Sequence, residues 1–292
     1  METIGQVVRM TNLRDGYTAI CKAVAEHGEV VSPRGKATRE FQSTTIIVDD
    51  PFDTMPVNVG RNWVPGIAAV ESAQLLSGCS HPDLTVAISP TFELFTEDNG
   101  VFHGAYGPRT KLYDQFPKMI ERLKSDPDSR QCVTSIWQPA FDMQDSKKDY
   151  PCTLLYHFMI RKDRLIMETV MRSNDVYLGL AYDGFQHSRV QIAVASVLGI
   201  EPGEYRHHAM SLHVYERDID KVNELTGAQA KPEHLPAITG STWGDVVDKA
   251  HSTLTAASRF LDDNVTTTQD DVDLNWYVTS MTKAIEKNRK DA

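Results

Sequence analysis

The chain has 292 residues, of which 41% are hydrophobic and 24% charged, a composition that suits a globular protein with a substantial core. Its formal net charge of −10 argues against a nucleic-acid-binding surface, because contacts to a phosphate backbone generally need a basic face. The sequence has neither a secretory signal pattern nor a run of about 18 apolar residues, so we expect a cytoplasmic protein with no membrane or nucleic-acid partner.

Hydrophobic periodicity predicts helices and strands along the whole chain. In chain order, we predict a helix over residues 12–27, a strand over 44–48, helices over 67–76 and 112–123, a hairpin with strands over 154–160 and 165–171, a helix over 188–198, a strand over 209–215, and weaker helices near 242–261 and 276–287. Three of these helices should end at Gly28, Gly78 and Gly199. Pro117 is expected to bend or split its helix. With no repeat and no linker-like segment, residues 1–292 are predicted to form one α/β domain.

The predicted hairpin is the clearest element, because two β-rich runs flank a short charged turn. It places Cys152 immediately before its first strand. Arg172 and Ser173 follow its second strand directly. The hairpin therefore predicts that a thiol and a cation lie close together.

The four cysteines are widely scattered without a C-x-x-C pair, so we predict neither a disulfide framework nor a metal site. They are Cys21, Cys79, Cys132 and Cys152. A lone cysteine usually behaves as a small buried apolar residue, and Cys152 on its own would be interpreted in this way. The thiolate is the reactive form, however, and an arginine such as Arg172 both lowers the pKa of a thiol and binds an anionic substrate.

Residues 150–153 (YPCT) and 171–183 (MRSNDVYLGLAYD) together resemble the thymidylate synthase superfamily. Further matches are Glu71, Tyr106, and the segments 126–130 (DPDSR), 202–205 (PGEY) and 213–215 (HVY). They follow the family's order over roughly half of the chain. The resemblance implies an α/β fold of thymidylate synthase type, with a mixed β-sheet, packed helices and a homodimer that forms through the sheet.

The resemblance also implies a role for each matching residue. The catalytic residues would be Cys152 as nucleophile, Glu71 as a proton-managing carboxyl and Tyr106 beside the reacting carbon. The nucleotide would be bound by Arg172, Ser173, Asp175, Asp183, His213, Tyr215, Arg130 of the neighbouring subunit, and either Arg34 or Arg39 as an N-terminal phosphate arginine. The cofactor 5,10-methylenetetrahydrofolate would lie against Gly179, Phe92 and Phe95.

Several of these residues also have a purely structural interpretation. Glu71 would then face solvent on its helix, and Arg130 would be an ordinary turn residue. His213 and Tyr215 alternate on one strand, so they share a face and could form a packed aromatic pair. Residues 207–208, both histidines, are interpreted as structural.

Position 183 departs from the thymidylate synthases, which have an asparagine there. An asparagine amide donates one hydrogen bond to a uracil carbonyl and accepts one from the ring N–H, whereas cytosine reverses this pattern. A carboxyl group that shares a proton with cytosine N3 and accepts from its amine is complementary to cytosine. With an aspartate at position 183, the chain therefore resembles the deoxycytidylate hydroxymethylases of bacteriophages and the cytidylate hydroxymethylases of nucleoside-antibiotic pathways.

Other departures surround the same site. Thr153 stands where the synthases typically have a histidine, and Gln131 stands where they have a second turn arginine. Phe92 and Phe95 replace tryptophans that wall the folate site in the synthases. A smaller wall could admit water to the one-carbon unit, in place of the hydride transfer that ends thymidylate synthesis.

We therefore predict a homodimeric (deoxy)cytidylate 5-hydroxymethyltransferase, which adds a folate-derived one-carbon unit and water to carbon 5 of a cytosine nucleotide monophosphate through a cysteine adduct. One alternative is a thymidylate synthase that acts on deoxyuridylate. Another is a non-catalytic cytidylate-binding relative, which the combination of Cys152, Glu71 and Tyr106 disfavours. The sequence leaves open whether the sugar is ribose or deoxyribose, whether the product serves phage DNA or an antibiotic, and what the chain does after about residue 219.

Overall fold

The computed structural model describes residues 6–55, 61–144, 147–227, 234–265 and 269–291. The strands are β1 (Gln6–Met10), β2 (Glu29–Val31), β3 (Thr38–Val48), β4 (Val133–Ser135), β5 (Thr153–Arg161), β6 (Arg164–Met171), β7 (Asn174–Asp175) and β8 (Glu201–Tyr215). The helices are α1 (Leu13–His27), α2 (Pro65–Ser77), α3 (Pro82–Ile88), α4 (Tyr106–Lys111), α5 (Gln115–Ser125), α6 (Pro139–Asp142), α7 (Leu180–Leu198), α8 (Ile219–Asn223), α9 (Trp243–Asp263) and α10 (Val272–Asp291). Within these described ranges, every helix is too short or too polar to cross a membrane.

The strands of the described residues form one mixed sheet, in the order β1-β3-β8-β6-β5-β4, with β2 added to β3 and β7 to β8. The central strand β8 pairs antiparallel with β3 and parallel with β6. β5 and β6 form the predicted hairpin. Lys162 and Asp163 in its turn both have positive φ, as a tight two-residue turn between twisted strands requires. The predicted mixed sheet with packed helices is confirmed.

Helices α2 and α7 are buried on nearly all sides. Eleven of the thirteen residues of α2 and sixteen of the nineteen residues of α7 are buried. The buried set of α7 includes several polar side chains, and these need hydrogen-bond partners inside the protein. Arg189 shows how they are satisfied, since it donates to the backbone carbonyls of Pro51 and Leu235 and ties two loops to the helix. The first turns of α7 hold the polar residues of the candidate site.

Most predicted elements are confirmed, but three begin well before the predicted residue, and α5 begins at Gln115 rather than at residue 112. β3 begins at Thr38 rather than at residue 44. α7 begins at Leu180 rather than at residue 188, because a helix that is buried on all sides shows no single apolar stripe. β8 begins at Glu201 rather than at residue 209, since Pro202 and Gly203 suggest a turn but lie in the strand, beside an irregularity in its pairing with β6. Pro117 does not split α5, because it lies in the first turn of that helix, where its missing N–H costs nothing.

Candidate active site

The β5–β6 hairpin brings Cys152 and Arg172 together. The backbone N–H of Arg172 donates to the Cys152 carbonyl at 2.8 Å. The guanidinium donates through Nε to the Pro151 carbonyl at 3.0 Å and through Nη2 to the Tyr150 carbonyl at 3.2 Å. Its Cζ lies 5.9 Å from the ring centre of Trp137. Arg172 is therefore fixed against the loop that carries the thiol, as the hairpin predicted.

The thiol of Cys152 is surrounded by charges of both signs. Burial raises its pKa to about 11, while the positive charges of Arg172 and Arg34 act in the opposite direction. The carboxyl groups of Asp183 and Asp149 raise the pKa further. The thiol is consequently protonated in the free protein at neutral pH, and its proton must leave as the sulfur attacks.

The structure distinguishes the two candidate phosphate arginines near the N-terminus. Arg39 is already engaged, since it donates to Glu216 Oε1 at 2.9 Å and to the Ala25 carbonyl at 2.8 Å. Arg34 is exposed on a tight turn, and its charge acts on Cys152. This placement favours Arg34 as the residue that faces an anionic ligand.

Asp183 is held from both sides by amide groups. Asn174 Nδ2 donates to Oδ2 at 2.6 Å, and Gln186 Nε2 donates to Oδ1 at 3.0 Å. His187 Nε2 lies 3.7 Å from the same Oδ1. Burial raises the pKa of Asp183 to about 7, although both amide donors act to lower it and the Asp175 charge raises it further. This carboxyl group therefore exchanges its proton near neutral pH.

Glu71 and Tyr106 also border Asp183. Glu71 Oε2 is buried and has no hydrogen-bond partner among the described residues. Burial, with a smaller contribution from the Asp183 charge, raises the pKa of Glu71 to about 8. Burial also raises the pKa of Tyr106, and the neighbouring Thr153 side chain acts to lower it. The three predicted catalytic residues and Asp183 thus belong to one electrostatically coupled cluster.

The predicted sugar-binding residues lie beside the hairpin end. Ser173 Oγ is 3.5 Å from His213 Nδ1. The rings of His213 and Tyr215 pack edge to face with their centres 5.4 Å apart, so they do share one face of β8. Both side chains are half-buried, which leaves polar atoms able to contact a ligand.

Asp175 and Gly179 shape the end of the site next to α7. Asp175 Oδ1 accepts the backbone N–H groups of Tyr177 and Leu178, each at 2.8 Å. Its Oδ2 is buried and has no partner among the described residues. A Cβ atom on Gly179 would lie 3.0 Å from Asp183 Oδ2, so a larger residue there would displace the carboxyl group.

Three predicted residues, Arg130, Phe92 and Phe95, lie on segments outside the hairpin and α7, and Phe92 packs partly buried against the core. The Arg130 side chain is exposed, and its carbonyl lies 3.2 Å from His157 Nε2. Phe92 packs against Phe95 with ring centres 6.1 Å apart, and Phe95 is 43% exposed. Within the described chain, these two rings form an aromatic cluster on the segment between α3 and α4.

Sequence reasoning missed an aromatic wall next to Asp183. The Trp63 ring stacks on Tyr182 and meets the edge of Phe185, with ring centres 6.0 Å apart in each case. The guanidinium of Arg61 lies over the Tyr182 ring at 5.6 Å. Trp63 precedes α2 in an irregular segment, so no periodicity marks it. The only signal in the sequence is that the two rings it contacts, Tyr182 and Phe185, lie one and two residues from Asp183.

The chain is similar to proteins of one family. The family model described as "Thymidylate synthase" matches residues 15–248. A deoxyuridylate hydroxymethyltransferase of Bacillus phage SP01 is 30% identical over 242 residues, which cover 76% of this chain and 63% of that protein. One of Pseudomonas phage M6 is 34% identical over 178 residues, covering 59% of this chain and 50% of that protein. A "Putative thymidylate synthase" of Methanosarcina mazei is 28% identical over 230 residues, covering 76% of this chain and 95% of that protein. The chain therefore matches less than two thirds of the length of either phage protein.

Proposed function

Since the chain belongs to the thymidylate synthase family, we propose that it is a folate-dependent (deoxy)cytidylate 5-hydroxymethyltransferase. The family and the phage relatives support one-carbon transfer to a nucleotide monophosphate. The observation that carries the finer proposal is Asp183, a buried carboxyl group in the site with a pKa of about 7. Such a group can give a proton to cytosine N3 and accept a hydrogen bond from the exocyclic amine.

Cys152 would begin the reaction as the nucleophile. Its Sγ would form a bond with carbon 6 of the pyrimidine, and the electron pair of the 5,6 double bond would move to carbon 5, which then becomes nucleophilic. Arg172 and Arg34 favour the thiolate electrostatically and would bind the phosphate, together with Ser173. Asp183 would hold the base, and His213 with Tyr215 would contact the sugar.

Glu71 and Tyr106 would manage the protons. With a pKa of about 8, Glu71 is mostly protonated at neutral pH and can pass its proton to the base through water. Tyr106 would assist removal of the proton from carbon 5, from its buried position beside Asp183 and Cys152. Glu71, once ionised, would orient the water that completes the hydroxymethyl group.

The residues at the end of the site fit a folate cofactor. Asp175, which the resemblance assigned to the nucleotide, has an Oδ2 atom without a partner among the described residues, and we propose that it accepts instead from the N–H and amino groups of a pterin ring. Gly179 remains a proposed contact, and its Cα packs closely against Asn174 and Asp183. When bound, methylenetetrahydrofolate supplies a one-carbon unit at the oxidation level of formaldehyde. Phe92 and Phe95 remain proposed contacts of the cofactor.

The proposal predicts a distinctive pH dependence. Cytosine N3 needs the proton of Asp183, which is present below a pKa of about 7 and lost above it, whereas the uracil N3–H donates to the ionised carboxylate. The ratio of kcat/KM for cytidylate to that for uridylate should therefore fall about tenfold per pH unit above pH ~7. Glu71 titrates nearby but acts on both nucleotides, so it cancels in the ratio. A ratio that is constant from pH 6 to 9 would contradict this assignment.

We also propose a homodimer through the sheet face opposite α7. That face carries half-buried or exposed apolar side chains from three strands, namely Leu155, Met159, Ile166, Val170 and Met210. These apolar side chains are interspersed with charged ones such as Glu168 and Arg206, and a mixed surface of this kind suits a partner protein. Arg130, exposed on its turn, would reach the phosphate site of the partner.

The shared site predicts complementation between two inactive variants. Arg130→Ala and Cys152→Ser should each lack activity, while an equimolar mixture should recover about a quarter of it, because one site of each heterodimer regains both groups. Lys124→Ala, another exposed cation at the same end of α5, is the matched control and should stay active. No recovery after demonstrated subunit exchange would exclude a shared site.

A second candidate is a deoxyuridylate hydroxymethyltransferase, which is the name that both phage relatives carry. Incubation with methylenetetrahydrofolate and each of the four cytosine and uracil monophosphates, with ribose or deoxyribose, separates the two candidates. Mass spectrometry of the products should show hydroxymethylation of a cytosine nucleotide. A hydroxymethylated uracil product would establish the second candidate, and a methylated one would establish a thymidylate synthase. Binding without tritium release from carbon 5 would indicate a non-catalytic relative.

A further inference from the structure

A line of buried polar side chains runs from Asp183 into the sheet. Asn174 Nδ2 donates to Asp183 Oδ2 at 2.6 Å, and Asn174 Oδ1 lies 3.1 Å from His207 Nε2. The other ring nitrogen of that histidine, Nδ1, lies 2.9 Å from the Tyr205 hydroxyl group. Asn174, His207 and Tyr205 are each at most 3% exposed. The line was not visible in the sequence, where His207 was interpreted as structural.

The chemistry of His207 gives this line one direction. Burial lowers the pKa of His207 to about 3, so its ring is neutral and carries a single N–H. An amide oxygen can only accept, so His207 Nε2 must carry the proton toward Asn174, and Nδ1 accepts from the Tyr205 hydroxyl. Reversing the Asn174 amide would place two acceptors in contact at Asp183, and it would also require His207 to move its proton to Nδ1 and the Tyr205 hydroxyl group to accept instead of donate. The orientation of Asn174 is therefore set by Asp183 and supported by His207 in its Nε2–H tautomer.

Gln186, which contacts the other oxygen of Asp183, is less constrained. Among the side-chain hydrogen bonds of the described residues, Gln186 makes one, from Nε2 to Asp183 Oδ1. Its amide can rotate to present an oxygen at the cost of that one bond. Of the two amide neighbours, Asn174 is thus the one that resists reversal.

We infer that Asn174, held by His207, is a specificity-determining positioning residue. It makes the atom at Asp183 Oδ2 a hydrogen-bond acceptor, and so decides which pattern of donors and acceptors the side chain at position 183 offers to the base. This inference rests on the proposed role of Asp183 as the residue that reads the base. An asparagine at position 183 would keep its oxygen toward Asn174 and turn its NH₂ toward Gln186. Its amide would then have one orientation rather than two.

The inference is tested by reversing the donor at position 174. Asp183→Asn and the double variant Asp183→Asn/Asn174→Asp should bind with opposite amide orientations, because the carboxylate introduced at position 174 would accept from the new NH₂ group instead of donating. The ratio of kcat/KM for deoxycytidylate to that for deoxyuridylate should differ between them by about 10²-fold. Equal ratios in the two variants would overturn the inference.

The histidine supplies a second test with a matched control. His207→Leu should release the Asn174 amide and move the nucleotide ratio toward unity, while His207→Gln, whose amide N–H replaces Nε2–H, should restore it. His208→Leu removes the neighbouring histidine, which hydrogen-bonds to Thr45 on the other face of β8, and should leave the ratio unchanged. A His207→Leu protein that folds and keeps the wild-type ratio would overturn the inference. If it does not fold, the position-174 pair decides.

A failure of the proposed function can be distinguished from a failure of the inference about Asn174. A wild-type protein that prefers deoxyuridylate would refute the cytidylate assignment. The ratios of the two variants with asparagine at position 183 would still be compared with each other, so the role of Asn174 is decided whichever base the wild type prefers.

Discussion

Cys152→Ser is expected to lower turnover and hydrogen exchange at carbon 5 by on the order of 10⁴-fold or more, while nucleotide binding stays largely intact. Only the covalent step needs a thiolate, and a serine hydroxyl is a far weaker nucleophile at neutral pH. The contacts that hold the nucleotide come from other side chains, among them Arg172 and Asp183. Tritium release from carbon 5 measures exchange, and calorimetry with the monophosphate measures binding.

Cys79→Ser is the matched control for this prediction. The Cys79 thiol is half-buried like that of Cys152, but it hydrogen-bonds to the Ser77 hydroxyl group at the end of α2. The same exchange of sulfur for oxygen there should leave turnover nearly unchanged. Near-normal turnover of Cys152→Ser would remove that residue from its proposed role, and an equal loss of binding would make its role structural.

The hairpin shows what local sequence could predict about the site. Its strands alternate, its turn is charged, and its ends carry Cys152 and Arg172. Strand pairing in a hairpin depends on residues that are close in the chain, so the approach of these two side chains follows from the sequence alone. The hydrogen bonds from Arg172 to the Pro151 and Tyr150 carbonyls then fix the orientation of the guanidinium, which no sequence pattern encodes.

The surroundings of Asp183 could not be predicted in the same way. Its amide donors come from β7 and from the next turn of α7, and the histidine behind them comes from β8. The first half of α7 itself was not recognised, because burial on all sides removes the amphipathic signal. Resemblance to a family identified Asp183, but only tertiary packing explains why its pKa lies near neutrality.

Which of Arg34 and Arg39 is available to the phosphate also depends on tertiary contacts that the local sequence does not show. Both are charged residues in a similar sequence setting, and the local match did not separate them. The ion pair of Arg39 with Glu216 depends on the arrival of a residue from the end of β8. Long-range contacts of this kind decide which of two similar cations remains available to a ligand.

Asp183→Asn is expected to shift preference from cytidylate toward uridylate, with the ratio of their kcat/KM values falling by up to roughly 10⁴. An amide presents the donor and acceptor pair that uracil requires, and it serves cytosine only when reversed. In this site Asn174 Nδ2 donates toward position 183, so reversal would place two donors in contact. Partial rotation of Gln186 would reduce the change without removing it.

Asp149→Asn is the matched control, because Asp149 is another carboxyl group whose charge raises the pKa of Cys152. Its loss should affect the thiol, and therefore both nucleotides, to the same degree and leave the ratio unchanged. The two variants together separate an effect on reactivity from an effect on base reading. If Asp183→Asn left the ratio unchanged, Asp183 would not read the base, and if the wild type already preferred uridylate, the cytidylate assignment would be wrong. The deoxyuridylate activity named for the phage relatives would then be the better assignment.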